Sequence, residues 1–192
     1  MPRARVGTWA SIAFMEGSIR TDRWPVSLRG CAGCLLWAVF ALTGSARAGE
    51  PPDLLPVAQR ADVIQVYKAQ RRMELLRAGR IIATYRIALG DAPVGHKRQQ
   101  GDEKTPEGDY RITYRNPRSR FHLSLRVSYP NEADRRQARA RGVDPGGDIM
   151  IHGATPPGYR GDWTDGCIAV TNAEMDEIWR RVPVGTPIRI IP

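Results

Sequence analysis

Cys167 and His152 are the two side chains of this chain whose types fit nucleophilic catalysis. Cys167 stands in Thr164-Asp165-Gly166-Cys167-Ile168, fifteen positions downstream of the run Ile151-His152-Gly153. A thiol attacks only as the thiolate, and imidazole is the usual group that takes its proton. The glycines beside both residues leave room for two loops to approach closely. Each residue also has a plain structural reading: an inert buried thiol, and a histidine satisfied by a backbone carbonyl. Found together in one short segment, they favour the reactive reading. Asp165, two residues before the thiol, faces the same way if the segment is extended, and its carboxylate would tend to raise the thiol pKa. Its alternatives are a third member pairing with His152, a receiver for an incoming ammonium, or a plain turn residue before glycine.

The other two cysteines, Cys31 and Cys34, lie in a short apolar run from Cys31 to Leu42, preceded by Arg20, Arg23 and Arg29. The run ends near Ala46-Arg47-Ala48, a small-x-small cleavage pattern. At about a dozen residues it falls short of the roughly 20 needed to span a bilayer. Residues 1–48 are therefore expected to be a signal peptide, with an uncleaved membrane anchor as the alternative. Cys167 would then be the one cysteine of the mature chain, without a disulfide partner.

Removing that segment from the 192 residues leaves 144, enough for one sizeable core. Six arginines and two acids leave with it, so the formal charge falls from +9 to +5. A mild basic excess suits an anionic polymer such as a bacterial wall, and solubility explains it equally well. No arginine-rich run with interleaved aromatics supports nucleic-acid binding. His96, in the loop Gly95-His96-Lys97-Arg98, reads as exposed, and His96, His122 and His152 lack metal-ligand spacing. No cofactor is expected.

The elements that must position the pair are mostly strands. Residues 49–60, with Pro51, Pro52 and Pro56, read as an extended leader before a domain at 61–192. Strand candidates cover 62–68, 72–76, 81–89, 109–114, 121–128, 147–152 and 187–191. The fifth alternates cleanly: Phe121, Leu123, Leu125 and Val127 inward, with His122, Ser124, Arg126 and Ser128 opposite. In the sixth, Ile149 and Ile151 face inward, which puts Met150 and His152 on the other face. Two helices interrupt the strands. Asn131 caps a polar helix reaching Arg141. Thr171-Asn172-Ala173-Glu174 forms a capping box before Met175, Ile178, Trp179 and Val182 at helical spacing. The expected fold is mostly β, a curved sandwich or barrel-like sheet with two short helices.

The segment from Ile151 to Asn172 resembles the catalytic signature of the L,D-transpeptidases, the cysteine enzymes that cross-link or decorate bacterial peptidoglycan. The run Gly101-Asp-Glu-Lys-Thr-Pro-Glu-Gly-Asp-Tyr110 is similar to that family's Thr-Pro-x-Gly-x-Tyr hairpin. Phe121 to Asn131 resembles its strand before the active site. The resemblance covers roughly residues 61–191. It implies Cys167 as nucleophile, His152 as base, the Gly153 carbonyl as the group orienting the imidazole, and backbone amides around Gly166 and Cys167 as oxyanion donors.

Three departures from the family pattern stand out. Asp165 occupies the place of a second histidine, the spacing from His152 to Thr164 is short, and Ala169 replaces an Arg or Asn. Thr164, Trp163, Arg126 and His122 are candidate substrate contacts; Arg126 and Arg160 could replace the missing donor-carboxylate grip. The loop 154–163 could act as a lid. What the resemblance implies is a monomeric periplasmic or envelope transpeptidase acting on stem peptides, touching a membrane only through an uncleaved N-terminus. The alternatives are a hydrolase using the same thioester and a non-catalytic wall-binding module.

Overall fold

The computed structural model describes residues 50–192; the expected signal peptide, with Cys31 and Cys34, lies outside the described residues. Short runs of alternating apolar residues pair into an eight-stranded sheet. Its strands are β1 (Val63–Tyr67), β2 (Arg72–Arg77), β3 (Arg80–Arg86), β4 (Gly108–Ser119), β5 (His122–Val127), β6 (Met150–His152), β7 (Ile168–Ala169) and β8 (Pro187–Ile191). They lie in the order β3-β2-β1-β8-β4-β5-β6-β7. β1–β8 and β6–β7 are parallel, and the other neighbours are antiparallel.

The sheet curls until its two edges meet. Just past β3, Ala88 exchanges both backbone hydrogen bonds with Ala169 on β7, each 2.9 Å long. This is the expected mostly-β, barrel-like architecture. Inward side chains from every part of the curl fill one core, including Ile64, Leu75, Ile112, Leu125, Ile151 and Ile190. Two boundaries differ from the sequence reading. The third strand ends at Arg86 rather than Leu89, because residues beyond it turn to make the closing bridges. The fourth continues to Ser119, its register shifting between Ile112 and Tyr114 and again between Asn116 and Ser119, where Pro117 sits.

Helix α1 (Glu132–Ala140) begins at Asn131, whose side chain accepts from the Asp134 amide while Asp134 accepts from the Asn131 amide. Helix α2 (Asn172–Arg181) starts with the Thr171–Glu174 capping box and buries Met175, Ile178 and Trp179. Its C-terminal carbonyls face a cation: Arg115 Nη1 donates to Trp179 O at 2.7 Å and Val182 O at 2.6 Å, and the guanidinium lies 3.9 Å over the Trp179 ring. Residues 50–60 do not run free. Val57–Gln59 forms a 3₁₀ turn, and the Leu55 amide donates to Arg180 O at the end of α2.

A buried lysine anchors the long loop between β3 and β4. Lys68 Nζ donates to Gly95 O (2.6 Å), Thr105 O (2.9 Å) and Glu107 Oε1 (2.8 Å), so all three of its protons are placed. Burial pushes its pKa down, and Glu107 opposes that. His96 in the same loop is not exposed as expected. Its Nδ1 accepts from the Glu107 amide at 2.9 Å, which assigns the proton to Nε2, 3.1 Å from Asp134 Oδ1. No helix among the described residues is long and apolar enough to cross a membrane.

Candidate active site

The parallel pairing of β6 and β7 sets the two reactive side chains side by side. Ile151 and Ile168 are register partners facing the core, so Met150 and His152 share the opposite face with Cys167. With strands about 4.8 Å apart and a rise of about 3.3 Å per residue, His152 and Cys167 sit one diagonal step apart, about 8 Å between α-carbons. In this conformation the thiol donates to Asp148 O at 3.6 Å and accepts from the Met150 amide at 3.4 Å. The imidazole is not among its hydrogen-bond partners.

Burial pushes the Cys167 thiol above its usual range. The Met150 N–H opposes the rise, the carboxylates of Asp165 and Asp148 add to it, and Lys97 opposes it. Burial also holds the His152 imidazole below its usual value, against the Gly153 carbonyl, which pulls it up. The resting pair is a neutral thiol and a neutral imidazole.

His152 is locked from three sides. Its Nδ1 lies 2.7 Å from Gly153 O, and since a carbonyl only accepts, Nδ1 carries the proton and Nε2 is free to act as a base. Phe121 stacks on the ring with centroids 4.5 Å apart, and Trp163 meets it edge-on at 5.6 Å. The Trp163 indole N–H donates to Thr155 Oγ1, tying the 154–163 loop to the same cluster. Alternation along β5 predicts Phe121 inward, beside Leu123. His122 adopts φ +72°, in the left-handed region, so the period-two pattern breaks there and Phe121 covers the histidine instead.

The nucleophile turn is held by Thr164, which is buried. Its Oγ1 donates to Cys167 O at 2.8 Å and accepts from the Gly166 amide at 3.2 Å. The Gly166 amide is therefore turned inward in this conformation and does not face the cleft as the oxyanion reading requires. Gly166 has φ +115°, and a Cβ there would sit 2.5 Å from Lys104 O. Only glycine permits that approach of the 95–107 loop. Gly90 is equally tight, with Glu103 O only 2.0 Å from its would-be Cβ.

A cleft of about 670 Å³ opens beside this turn, lined among others by Asp165, Asp148, Arg126, Lys97 and Glu103. Arg126 lines the cleft and pairs there with Asp148 at 3.2 Å. Asp165 also lines it and is not a hydrogen-bond partner of His152, whose ring proton goes to Gly153. His122 is carried elsewhere: its Nε2 contacts Asp176 Oδ1 on α2 at 2.6 Å, in a separate hollow with Pro51 and Pro52. Arg160 likewise lines another hollow, with Arg86 and Tyr159. Four contributors escape the sequence reading: Phe121 over the imidazole, the Met150 amide on sulfur, Lys97 in the cleft, and Asn172, whose Oδ1 accepts from the Ala154 amide at 2.7 Å. Only the asparagine carried a signal, its place in the capping box.

Comparison with known proteins bears on the whole curl. Residues 61–190 match the family model described as YkuD, the L,D-transpeptidase catalytic domain. YafK of Escherichia coli K12, provisionally named an L,D-transpeptidase, is 33% identical over 125 residues, covering 62% of this chain and 46% of that protein. The chain thus spans about half the length of the curated relatives it matches. Among solved structures, the helical cell shape determining protein Pgp2 from Campylobacter jejuni aligns with TM-score 0.53 and 26% identity over 67% of this chain and 46% of its own. Bd1075 of Bdellovibrio bacteriovorus aligns with TM-score 0.51 and 27% identity over 72% of this chain and 54% of its own. With the model match spanning most of the described residues and running through both β6 and β7, the chain belongs to the L,D-transpeptidase catalytic-domain family.

Proposed function

We propose that this domain transfers an acyl group of a peptidoglycan stem peptide through a thioester on Cys167. The observation that supports the reading is the β6–β7 pairing, which puts a thiol and a base-competent imidazole on one face, with the thiol's partner Asp148 at the wall of the neighbouring cleft. Cys167 turns from Asp148 O toward His152, and its proton passes to Nε2. The thiolate, supported by the Met150 N–H, attacks the peptide carbonyl. His152, now an imidazolium backed by Gly153 O, gives its proton to the leaving amine as the C–N bond breaks. An incoming amine loses a proton to His152 and displaces the sulfur, which recovers its own proton. Water in place of the amine gives hydrolysis by the same steps.

Arg126 and Lys97 suit the carboxylates of a stem peptide, and Asp165 suits the ammonium of an acceptor. Such a substrate places the protein in the bacterial envelope, with residues 1–48 supplying export.

Purified protein incubated with wall tetrapeptide and a labelled D-amino acid tests the proposal. Label incorporation that disappears in Cys167→Ser is the expected result. Trimming without incorporation assigns hydrolysis, and full activity in Cys167→Ser rejects the nucleophile. A Cys167 that acquires no acyl adduct from any wall peptide points to a binding module.

A further inference from the structure

His152 and Asn172, the first residue of α2, contact the same peptide unit. The Gly153–Ala154 peptide presents its carbonyl to His152 Nδ1 at 2.7 Å and its N–H to Asn172 Oδ1 at 2.7 Å. Because a peptide unit is planar, fixing its N–H fixes the direction of its C=O. The arrangement is held against local preference. Ala154 adopts φ +73°, a region that non-glycine residues avoid. Asn172 Oδ1 lies only 2.6 Å from where a Cβ on Gly153 would be, so glycine at 153 is what lets the amide come so close. Asn172 itself is held by the helix that Thr171 and Glu174 cap.

Resting on the proposed function of this same site, we propose that Asn172 is a positioning residue for the reaction. It clamps the Gly153–Ala154 peptide so that its carbonyl keeps His152 in the Nδ1–H form, leaving Nε2 as the base. Without that acceptor, Ala154 relaxes out of its left-handed conformation and the peptide plane turns. The carbonyl then leaves Nδ1, and the imidazole loses both its orientation and the partner that supports its charged form.

The test compares Asn172→Leu, which keeps the size and removes the acceptor, with Asn172→Asp, which keeps an oxygen in place. Asn172→Leu should lower kcat about 10- to 100-fold, the scale of a misplaced catalytic group, with KM little changed. Its acid limb should move to lower pH, because the carbonyl that raises the imidazole pKa is gone. Asn172→Asp should recover most of the rate. Nitrogen NMR of His152 at neutral pH reads the same clamp without any turnover: the Nδ1–H tautomer in the unaltered protein and in Asn172→Asp, and its loss in Asn172→Leu. A folded Asn172→Leu that keeps the Nδ1–H tautomer overturns the inference. So does a rate loss shared equally by Asn172→Asp. Should the leucine variant not fold, Asn172→Ala is read in the same way. The tautomer measurement stands even if Cys167→Ser proves active, so failure of the thioester reading and failure of the clamp are told apart.

Discussion

Thr164→Val is the sharpest probe of the nucleophile turn, because valine matches threonine in shape and lacks only its hydroxyl. That hydroxyl makes two bonds inside the turn, donating to Cys167 O at 2.8 Å and accepting from the Gly166 amide at 3.2 Å. The Thr164 side chain and Gly166 are both buried, so water cannot replace the lost partners. An unsatisfied buried polar group costs about 1–3 kcal/mol, and the two together come to about 2–4 kcal/mol once partial relaxation is allowed. For a domain of this size that corresponds to a drop in Tm of about 6–12 °C. Thr164→Ser keeps both bonds and loses one methyl group, about 1 kcal/mol.

The assay is thermal melting of the three proteins, paired with the rate of Cys167 alkylation by iodoacetamide. Valine should lower Tm several-fold more than serine and change the alkylation rate, since the turn no longer holds the thiol against the Met150 amide. Equal effects of the two substitutions on both readouts refute the idea that the hydroxyl organises the turn.

Three further outcomes are expected. Buried neutral His152 titrates below its ordinary value of 6.5, so the unfolded chain takes up the proton first; its share of stability is present above about pH 6.5 and is lost as pH falls through the folded value. The acid limb of activity should lie below 6.5 for the same reason. The Cys167 thiol runs the opposite way: raised above 9.0, it contributes stability that is complete below pH 9 and fades as pH rises toward its folded value, a fade that melting curves should show absent in Cys167→Ser. Gly90→Ala drives a methyl group to 2.0 Å from Glu103 O, whereas Gly79→Ala meets open space and suffers only from its φ of +74°. The first should cost about 3 kcal/mol and the second about 1 kcal/mol in denaturant unfolding, an order that a reversed result would overturn.

Much of this arrangement is legible along the chain because it depends on local periodicity. Alternation from Leu123 to Val127 marks β5, and the Thr171–Glu174 box with Met175, Ile178 and Trp179 marks α2, since both patterns come from neighbours in sequence. The placing of Met150 and His152 opposite Ile149 and Ile151 follows from the same period. β7 is not legible: two residues, Ile168 and Ala169, carry no period, and they become a strand only because Ile151 and Ala88 pair with them. His96 reads as solvent-facing because its partner Asp134 lies 38 positions away, and the burial of Lys68 carries no local signal because its partner Glu107 lies 39 positions away. Phe121 was misplaced by one backbone conformation at His122, which inverts the alternation one residue before β5 begins. The presence of a thiol and an imidazole fifteen positions apart was readable along the chain. The rotamer that turns the sulfur to Asp148 was not, because it is set by a carbonyl 19 positions distant.

The position of β8 bears on how the curl comes to close. Residues 187–191 wedge between β1 and β4, joining Ile64 to Ile188 on one side and Tyr110 to Ile188 on the other. Apart from that stretch, the two halves of the curl meet at the Ala88–Ala169 and Gly90–Thr164 bridges, and such distant pairings form slowly. The turn that carries Cys167 abuts that seam, so its final geometry waits on the closing of the curl.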